Sequence, residues 1–588
     1  MPEAPPPRGL ERKLIEYGDR DFALFLRRSF ARSLGLSGEA LAKPAIGIVN
    51  TASDLNHCHR LLPELIAAVK RGVWQAGGLP LEFPVISPGE AFCHPTAMLL
   101  RNLMAMDVEA MIRAQPLDAV VLVGGCDKTL PALVMGAASA GTPAIALAAG
   151  PMLAGRHAGE RIGACTDCRR FWARHRRGEL DAAEIAEVEA RLSPTAGTCG
   201  VMGTASTMAC ALEAMGLMLP GGATAPAVHA DRLRIGEETG KAAVRLAASG
   251  LEPARFLTAE AFANALRVVL ACGGSTNAII HLTAIAGRAG VRLGYEDLNR
   301  LSDVTPVLVD LKPTGEHYME DFHAAGGMPV LLETLRPLLH LEALTVTGRT
   351  LGEVLGPASP PGRPGRSPET RAPAARQPVI RPLAEPLQPR GGIVALRGNL
   401  APDGALLKRA AASPELLNAA GRAVVFRSVA DLARRIDDPG LDVHPGDFLV
   451  LQNAGPIGGP GMPEAGFLPI PRKLAAAGVK DMVRISDARM SGTAFGTVVL
   501  HVSPEAAAGG PLGLVQDGDR IELRADEGRL SLLVGADELA RRQAGARAAQ
   551  SAASGPLRGY DRLYAEHVEQ AHLGADFDFL KHESLARG

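Results

Sequence analysis

The sequence predicts an α/β fold: an N-terminal α/β/α domain with a mainly parallel sheet, followed by a β-rich C-terminal domain. Three observations carry the prediction. In the first half, short apolar or β-branched runs at 44–50, 118–125 and 142–150 alternate with helical stretches at 61–76 and 95–106. From 357 to 389 the composition shifts to Pro, Arg, Ala and Gly, with no apolar periodicity until Val379 and Ile380. Beyond Gly391 the runs at 422–428, 448–453, 482–486, 497–503, 520–524 and 529–534 read as strands.

Each element then has a place. In open α/β sheets ligands collect at the carboxyl ends of strands, so the polar or Gly-rich loops after the first three runs are where chemistry is expected. A chain of 588 residues is too long for one core. The domains are expected at 1–378 and 379–588, with the Pro-rich stretch 357–378 a surface loop or linker that cannot build a core. The last two strand runs are joined by Ala525-Asp526-Glu527-Gly528 as a hairpin, and a charged helical tail follows.

Composition narrows the function classes. With 62 basic against 63 acidic residues and a formal net charge of -1, the chain has no global field for nucleic acid or an anionic membrane. No apolar run approaches the roughly 20 residues of a membrane-spanning helix, and the opening Met-Pro-Glu-Ala-Pro-Pro-Pro lacks the features of a signal peptide. A cytoplasmic protein acting on a small molecule is expected. Eight cysteines are too few for a disulfide framework in a chain this long, which leaves thiols available to metals.

The segment Val121-Leu-Val-Gly-Gly-Cys-Asp-Lys-Thr-Leu-Pro131 runs an apolar strand into two glycines and then presents a thiol, a carboxylate and an amine. Thiolates favour soft metals and carboxylates favour hard cations such as Mg²⁺, so Cys126 beside Asp127 suggests two metal sites in one pocket. Taken alone, the segment also fits, less well, a buried cysteine beside a helix-capping aspartate. Cys58 follows the run 44–50, and Cys199 sits between Gly197 and Gly200. Three thiolates from separate loops can hold an iron–sulfur cluster while leaving one iron position free for a catalytic Lewis acid. Cys165-Thr-Asp-Cys168 has redox or zinc spacing but no second pair, and it is set aside; Cys93, Cys210 and Cys272 read as packing residues.

Cys126-Asp-Lys-Thr-Leu-Pro131 and Ile485-Ser-Asp-Ala-Arg-Met-Ser-Gly-Thr493 resemble the two signature motifs of the dihydroxy-acid and sugar-acid dehydratases. The resemblance runs over nearly the whole chain, through Pro88-Gly-Glu90, Gly273-Gly-Ser-Thr-Asn-Ala278, Met319-Glu-Asp-Phe322, Arg397-Gly-Asn-Leu-Ala-Pro402 and Gly461-Met-Pro-Glu-Ala465. Only 357–378 and the Cys165/Cys168 pair look foreign to it.

The resemblance implies a cluster on Cys58, Cys126 and Cys199, of the [2Fe–2S] type in the sugar-acid branch, with [4Fe–4S] as the alternative. It implies Mg²⁺ on Glu90, Asp127 and Glu464, with a carbamylated Lys128 as a further ligand. It makes Ser491 the general base and Thr493 a residue that positions substrate. It also implies a swivelling β-barrel-like C-terminal domain carrying Glu464 and Ser491, and a homodimer or homotetramer. The wording of 316–322, 461–472 and 484–493 lies closer to the sugar-acid branch, so the expected substrate is an aldonate, best met by the pentonates arabinonate or xylonate, giving a 2-keto-3-deoxy acid. Three other readings are a dihydroxy-acid dehydratase of branched-chain amino-acid synthesis, an iron–sulfur electron carrier or sensor, and a thiol oxidoreductase using Cys165 and Cys168.

Overall fold

In the computed structural model, which describes residues 7–15, 17–357, 379–550 and 557–585, four parallel strands form the N-terminal sheet. They are β1 (Ala45–Asn50), β2 (Leu79–Pro84), β3 (Ala119–Gly124) and β4 (Ala144–Ala148), in the order β2-β1-β3-β4. β3 and β4 are buried along their whole length, as a parallel sheet with both faces covered requires, and the outer edge of β4 is capped by the Leu217 carbonyl, which accepts from the Ala146 amide at 2.8 Å. β2, Leu-Pro-Leu-Glu-Phe-Pro, is not among the expected strands because its two prolines read against one. It lies at the sheet edge, where a missing backbone donor breaks no ladder.

Helices α1 (Leu62–Gln75), α2 (Arg101–Ala114) and α3 (Thr129–Ala140) follow β1, β2 and β3. α1 matches the expected 61–76. The stretch expected as a helix over 95–106 instead opens with a 3-10 turn, Ala97–Leu100, in which the Thr96 hydroxyl accepts from the Met98 amide at 3.3 Å. α2 then continues to Ala114, because Val108 and Ile112 extend its buried face. Further along lie α4 (Thr166–Arg176), α5 (Thr204–Ala214), α6 (Ala230–Ser249), α7 (Ala259–Ala271) and α8 (Thr276–Arg288). α1 and α6 touch backbone to backbone: a Cβ at Gly72 would collide with the Glu237 carbonyl, and one at Gly240 with that of Val69.

The C-terminal domain is a closed eight-stranded barrel. Its strands are β5 (Val394–Gly398), β6 (Ala401–Leu407), β7 (Asn418–Phe426), β8 (Phe448–Leu451), β9 (Arg484–Ser486), β10 (Val498–Ser503), β11 (Arg520–Arg524) and β12 (Arg529–Leu532). The order is β8-β9-β10-β6-β5-β12-β11-β7, with β7 closing onto β8, and both parallel and antiparallel pairs occur. Leu407, Val425, Val450, Ile485, Val499, Ile521 and Leu530 fill its core. The expected hairpin is present, with Arg524 paired to Arg529 and the left-handed position taken by Gly528. β5 and β6 escape sequence reading because Pro402, Asp403 and Gly404 look like a turn; Gly404, at φ 106°, packs against the Tyr295 ring.

Residues 358–378, where most of the expected Pro-rich loop falls, lie outside the described residues. The stretch after them departs from a loop. Val379 and Ile380 are buried in the N-terminal core, Ile380 bridges Val309, and Gln388 bridges Val307. The chain's end also returns to the first domain: Arg101 donates to the carbonyls of Gly574 and Ala575, and Arg288 pairs with Asp576 at 2.8 Å. These ties hold the carboxyl ends of β1 and β3 beneath the barrel loops that carry Glu464 and Ser491. No helix among the described residues is long and apolar enough to cross a membrane.

Candidate active site

Cys58 lies in a 3-10 turn, His57–His59, after β1, and Cys126 lies just past β3. The register Asn50 to Val123 brings these two strand ends side by side. The two thiols hydrogen-bond, and both lie within electrostatic reach of Cys199. Gly125 permits the approach: a Cβ there would sit 2.5 Å from the Ala149 Cβ and 3.2 Å from the Thr198 methyl, in the loop that carries Cys199. The structure therefore gathers all three expected cysteines.

The hydrogen bond with Cys126, followed by burial and neighbouring charge, pushes the Cys58 thiol well above its ordinary range. Cys199 is pushed up in the same direction, first by its hydrogen bond with Cys165 and then by burial. Crowded thiols of this kind keep their protons until a metal cation replaces them. Two cysteines read as peripheral in the sequence are also here. Cys165 Sγ lies 3.6 Å from Cys199 Sγ, and the Cys168 thiol donates to the Cys165 carbonyl at 2.6 Å and also neighbours the Cys165 thiol. Cys93 senses the charges of Glu90, Cys126 and Lys128, whereas Cys210 and Cys272 are core residues as expected.

Beside the thiols, Lys128 has no exposed surface and three carboxylates around it. Its Nζ pairs with Asp127, lies 3.0 Å from Glu90 Oε2 and 3.6 Å from Glu464 Oε1. Glu464 also meets the buried Arg489 at 3.3 Å, and Arg489 donates to Thr96, which donates to Glu90 at 2.7 Å. Burial alone would raise Glu90, but Lys128 and Arg489 overcome it and hold the carboxyl at about 2. Burial dominates at Glu464 and lifts it above the ordinary range. For Lys128, burial and Arg489 act downward, and the three carboxylates outweigh them and raise it.

Ser491 and Thr493 close the pocket from the barrel side. Their hydroxyls are 2.8 Å apart, and the Thr493 amide lies 3.4 Å from Ser491 Oγ. The turn docks on the Cys199 loop: a Cβ at Gly203 would meet the Thr493 methyl at 3.0 Å, and one at Gly492 would meet the Ser275 hydroxyl at 2.7 Å. Asn277 donates to the Met490 carbonyl at 3.1 Å, to Thr204 at 3.2 Å and to Glu464 at 3.5 Å, tying this turn to the carboxylate group. Thr166, at the start of α4, donates to the Thr493 carbonyl at 3.1 Å.

Several residues here were not singled out from sequence. Arg489 stands inside the quoted motif 485–493 and Asn277 within Gly-Gly-Ser-Thr-Asn, and His59 directly follows Cys58, so position gave a signal for each. Lys408 gave none. It is buried, donates to the Gly492 carbonyl at 3.2 Å, and is lowered by burial to about 7.

The residues fit the expected groups. Three thiols brought together from separate loops suit a soft metal cluster. Glu90 Oε2, though buried, lacks an aligned hydrogen-bond donor, as does the Asn277 side-chain oxygen, and oxygen-rich anionic surroundings suit a hard divalent cation. A separate trio, His229, Asp231 and His323, brings ligand atoms within 4.8 Å of one another. It stands at the positive N-terminal end of α6 beside Arg232 and Arg234, a field that opposes a cation.

Residues 43–354 match the family described as dihydroxy-acid/6-phosphogluconate dehydratase N-terminal, and residues 378–575 match its C-terminal counterpart. An L-arabonate dehydratase of Azospirillum brasilense is 49% identical over 96% of each chain. A 6-deoxy-6-sulfo-D-gluconate dehydratase of Pseudomonas putida is 45% identical over 95% of this chain and 94% of its own. A dihydroxy-acid dehydratase of Moorella thermoacetica is 39% identical over 93% of this chain and 97% of its own. With both halves matched and the pocket assembled from the signature motifs, the chain belongs to the dihydroxy-acid/6-phosphogluconate dehydratase family and is a hydro-lyase.

Proposed function

We propose that this enzyme dehydrates an aldonate, best a pentonate, to the corresponding 2-keto-3-deoxy acid. The observation that carries the reading is the meeting of the Cys58, Cys126 and Cys199 thiols with the carboxylates around Lys128 under the Ser491–Thr493 turn. Relatives named for sugar acids, at 45% and 49% identity, support the substrate class over the dihydroxy-acid relative at 39%.

Cys58, Cys126 and Cys199 would hold an iron–sulfur cluster, and Glu90, Asp127 and Glu464 with a carbamylated Lys128 would hold Mg²⁺. When bound, these groups supply Lewis acidity at the leaving hydroxyl and at the substrate carboxylate with its 2-hydroxyl. Charge favours this assignment. Three carboxylates against the Lys128 and Arg489 cations leave one net negative charge. Turning the ammonium into a carbamate removes two positive charges, and a divalent cation restores them.

Ser491 then takes the C2 proton, water departs from C3, and the enol tautomerises to the 2-keto acid. A serine hydroxyl needs help to act as a base. Thr493 holds Ser491 Oγ in place, and Lys408 fixes the following carbonyl. The test is to load the protein anaerobically with iron, sulfide and Mg²⁺ and offer four- to six-carbon aldonates, a 6-sulfo aldonate and dihydroxyisovalerate, measuring 2-keto acid formed. Preference for an aldonate is expected. Preference for dihydroxyisovalerate would overturn the substrate reading.

A further inference from the structure

Besides the neighbouring thiols of Cys58 and Cys126, the pocket brings together a second pair, Cys165 and Cys199. The second pair is not accounted for by a three-cysteine cluster. Its sulfur–sulfur separation is 3.6 Å. Two thiolates about 2.3 Å from one tetrahedral metal lie roughly 3.7 Å apart, so Cys165 and Cys199 already stand as ligands of a common metal would.

The position of Cys165 is fixed by its surroundings. It immediately precedes α4, whose first residue, Thr166, is bonded to the Thr493 carbonyl. On the other side the Gly163 amide donates to Asp167 at 2.8 Å, and Asp167 is held by Tyr318 and Lys312. The Cys168 thiol donates to the Cys165 carbonyl at 2.6 Å and also neighbours the Cys165 thiol, whereas Cys165 is the one that meets Cys199.

We propose that Cys165 is a fourth thiolate ligand of the cluster in the substrate-free enzyme, completing one iron together with Cys199 while Cys58 and Cys126 hold the other. Two thiolates per iron is the arrangement of a [2Fe–2S] centre, so the pairing also selects that cluster type. A dehydratase needs one iron position exchangeable. Cys165 is the sulfur that gives way when the substrate hydroxyl arrives: the iron–sulfur bond breaks with its electron pair kept by sulfur, and no electron is transferred. The Cys165 thiolate thus shields the reactive iron until substrate is present.

The inference rests on the reading that Cys58, Cys126 and Cys199 hold a cluster, and one experiment separates the two. Wild-type, Cys165→Ala and Cys168→Ala proteins are reconstituted anaerobically with iron and sulfide. Iron and sulfide content, visible circular dichroism and resonance Raman Fe–S bands are recorded with and without arabinonate, and near-ultraviolet dichroism checks the fold. Equal iron and sulfide in all three is expected. Without substrate, Cys165→Ala alone should show shifted Fe–S bands, and arabinonate should move the wild-type and Cys168→Ala spectra while moving Cys165→Ala less. A folded Cys165→Ala protein whose substrate-free spectrum matches the wild type would overturn the fourth ligand and leave the cluster reading standing. Wild-type protein that takes up no iron and sulfide overturns both. Should Cys165→Ala fail to fold, Cys165→Ser is read instead, since an oxygen ligand also shifts the bands.

Discussion

His59 Nε2 accepts the backbone amide of Cys126 at 2.9 Å, and that of Gly125 at the same distance. Its Nδ1 lies 2.7 Å from the Thr51 carbonyl, which fixes the tautomer, and burial holds the ring neutral by lowering it to about 4. A single buried imidazole therefore fastens the Cys58 turn to the Cys126 loop. In His59→Ala both amides lose their acceptor, at about 1–3 kcal/mol each. The expected outcome is a lower urea midpoint together with a reduced iron content after reconstitution. Unchanged iron loading in a destabilised variant would show that the bond serves stability alone.

Lys408 sets a pH dependence. Burial lowers its ammonium to about 7, against an ordinary 10.5. Between those values the unfolded chain binds more protons than the folded one, so stability rises with pH across about 7 to 10.5. Integrated over the window the effect is about 5 kcal/mol at most. Lys408→Met removes the group while keeping much of its volume. Urea titrations at several pH values should give a stability that changes more positively with pH in the wild type than in the variant across this window. Turnover should fall as well, because the Gly492 carbonyl loses its donor and the Ser491 turn loosens. Equal slopes for the two proteins would refute the assignment.

Much of this arrangement was legible in the sequence, for identifiable reasons. β3 and β4 read as strands because both faces of a parallel sheet are covered and their sequences are apolar throughout. Cys58, Cys126 and Cys199 stood out because each follows a strand or sits among glycines. β2 stayed hidden because edge position, which excuses Pro80 and Pro84, is a property of the finished sheet. The proximity of Cys165 to Cys199 was hidden for a related reason. Its spacing to Cys168 is a local signal, whereas its partner Cys199 is 34 residues away and is met only through tertiary structure. Lys408 looked like any surface lysine until the barrel buried it.

Lys128 should be the point at which metal and carbon dioxide are linked. Its surrounding carboxylates raise the ammonium, so the neutral amine that reacts with carbon dioxide is scarce without a divalent cation. Mg²⁺ and bicarbonate should therefore promote each other's binding: Mg²⁺ affinity measured by calorimetry should weaken in bicarbonate-free buffer and recover when bicarbonate is added. Lys128→Met should lose that response and lose turnover, yet keep the Fe–S absorption. Removing one partner of a buried charge group costs about 3–5 kcal/mol, so this variant is also expected to unfold at lower urea. A bicarbonate-independent affinity would count against the carbamate.

Ser491 and Thr493 should separate chemistry from positioning. Their hydroxyls are 2.8 Å apart, but only Ser491 is assigned the C2 proton. Ser491→Ala removes the proton acceptor, and general-base contributions run at about 10²–10⁴-fold, so turnover should fall by that order with the Fe–S spectrum unchanged. Thr493→Val keeps the shape and removes one hydrogen bond worth about 1 kcal/mol, which predicts roughly a fivefold loss. Exchange of the C2 hydrogen into deuterated water offers a second readout. It should vanish in Ser491→Ala and persist in Thr493→Val. Persistence in Ser491→Ala would move the base elsewhere in the pocket, and the neutral amine of Lys408, one residue beyond the serine through the Gly492 carbonyl, would be the next group to test.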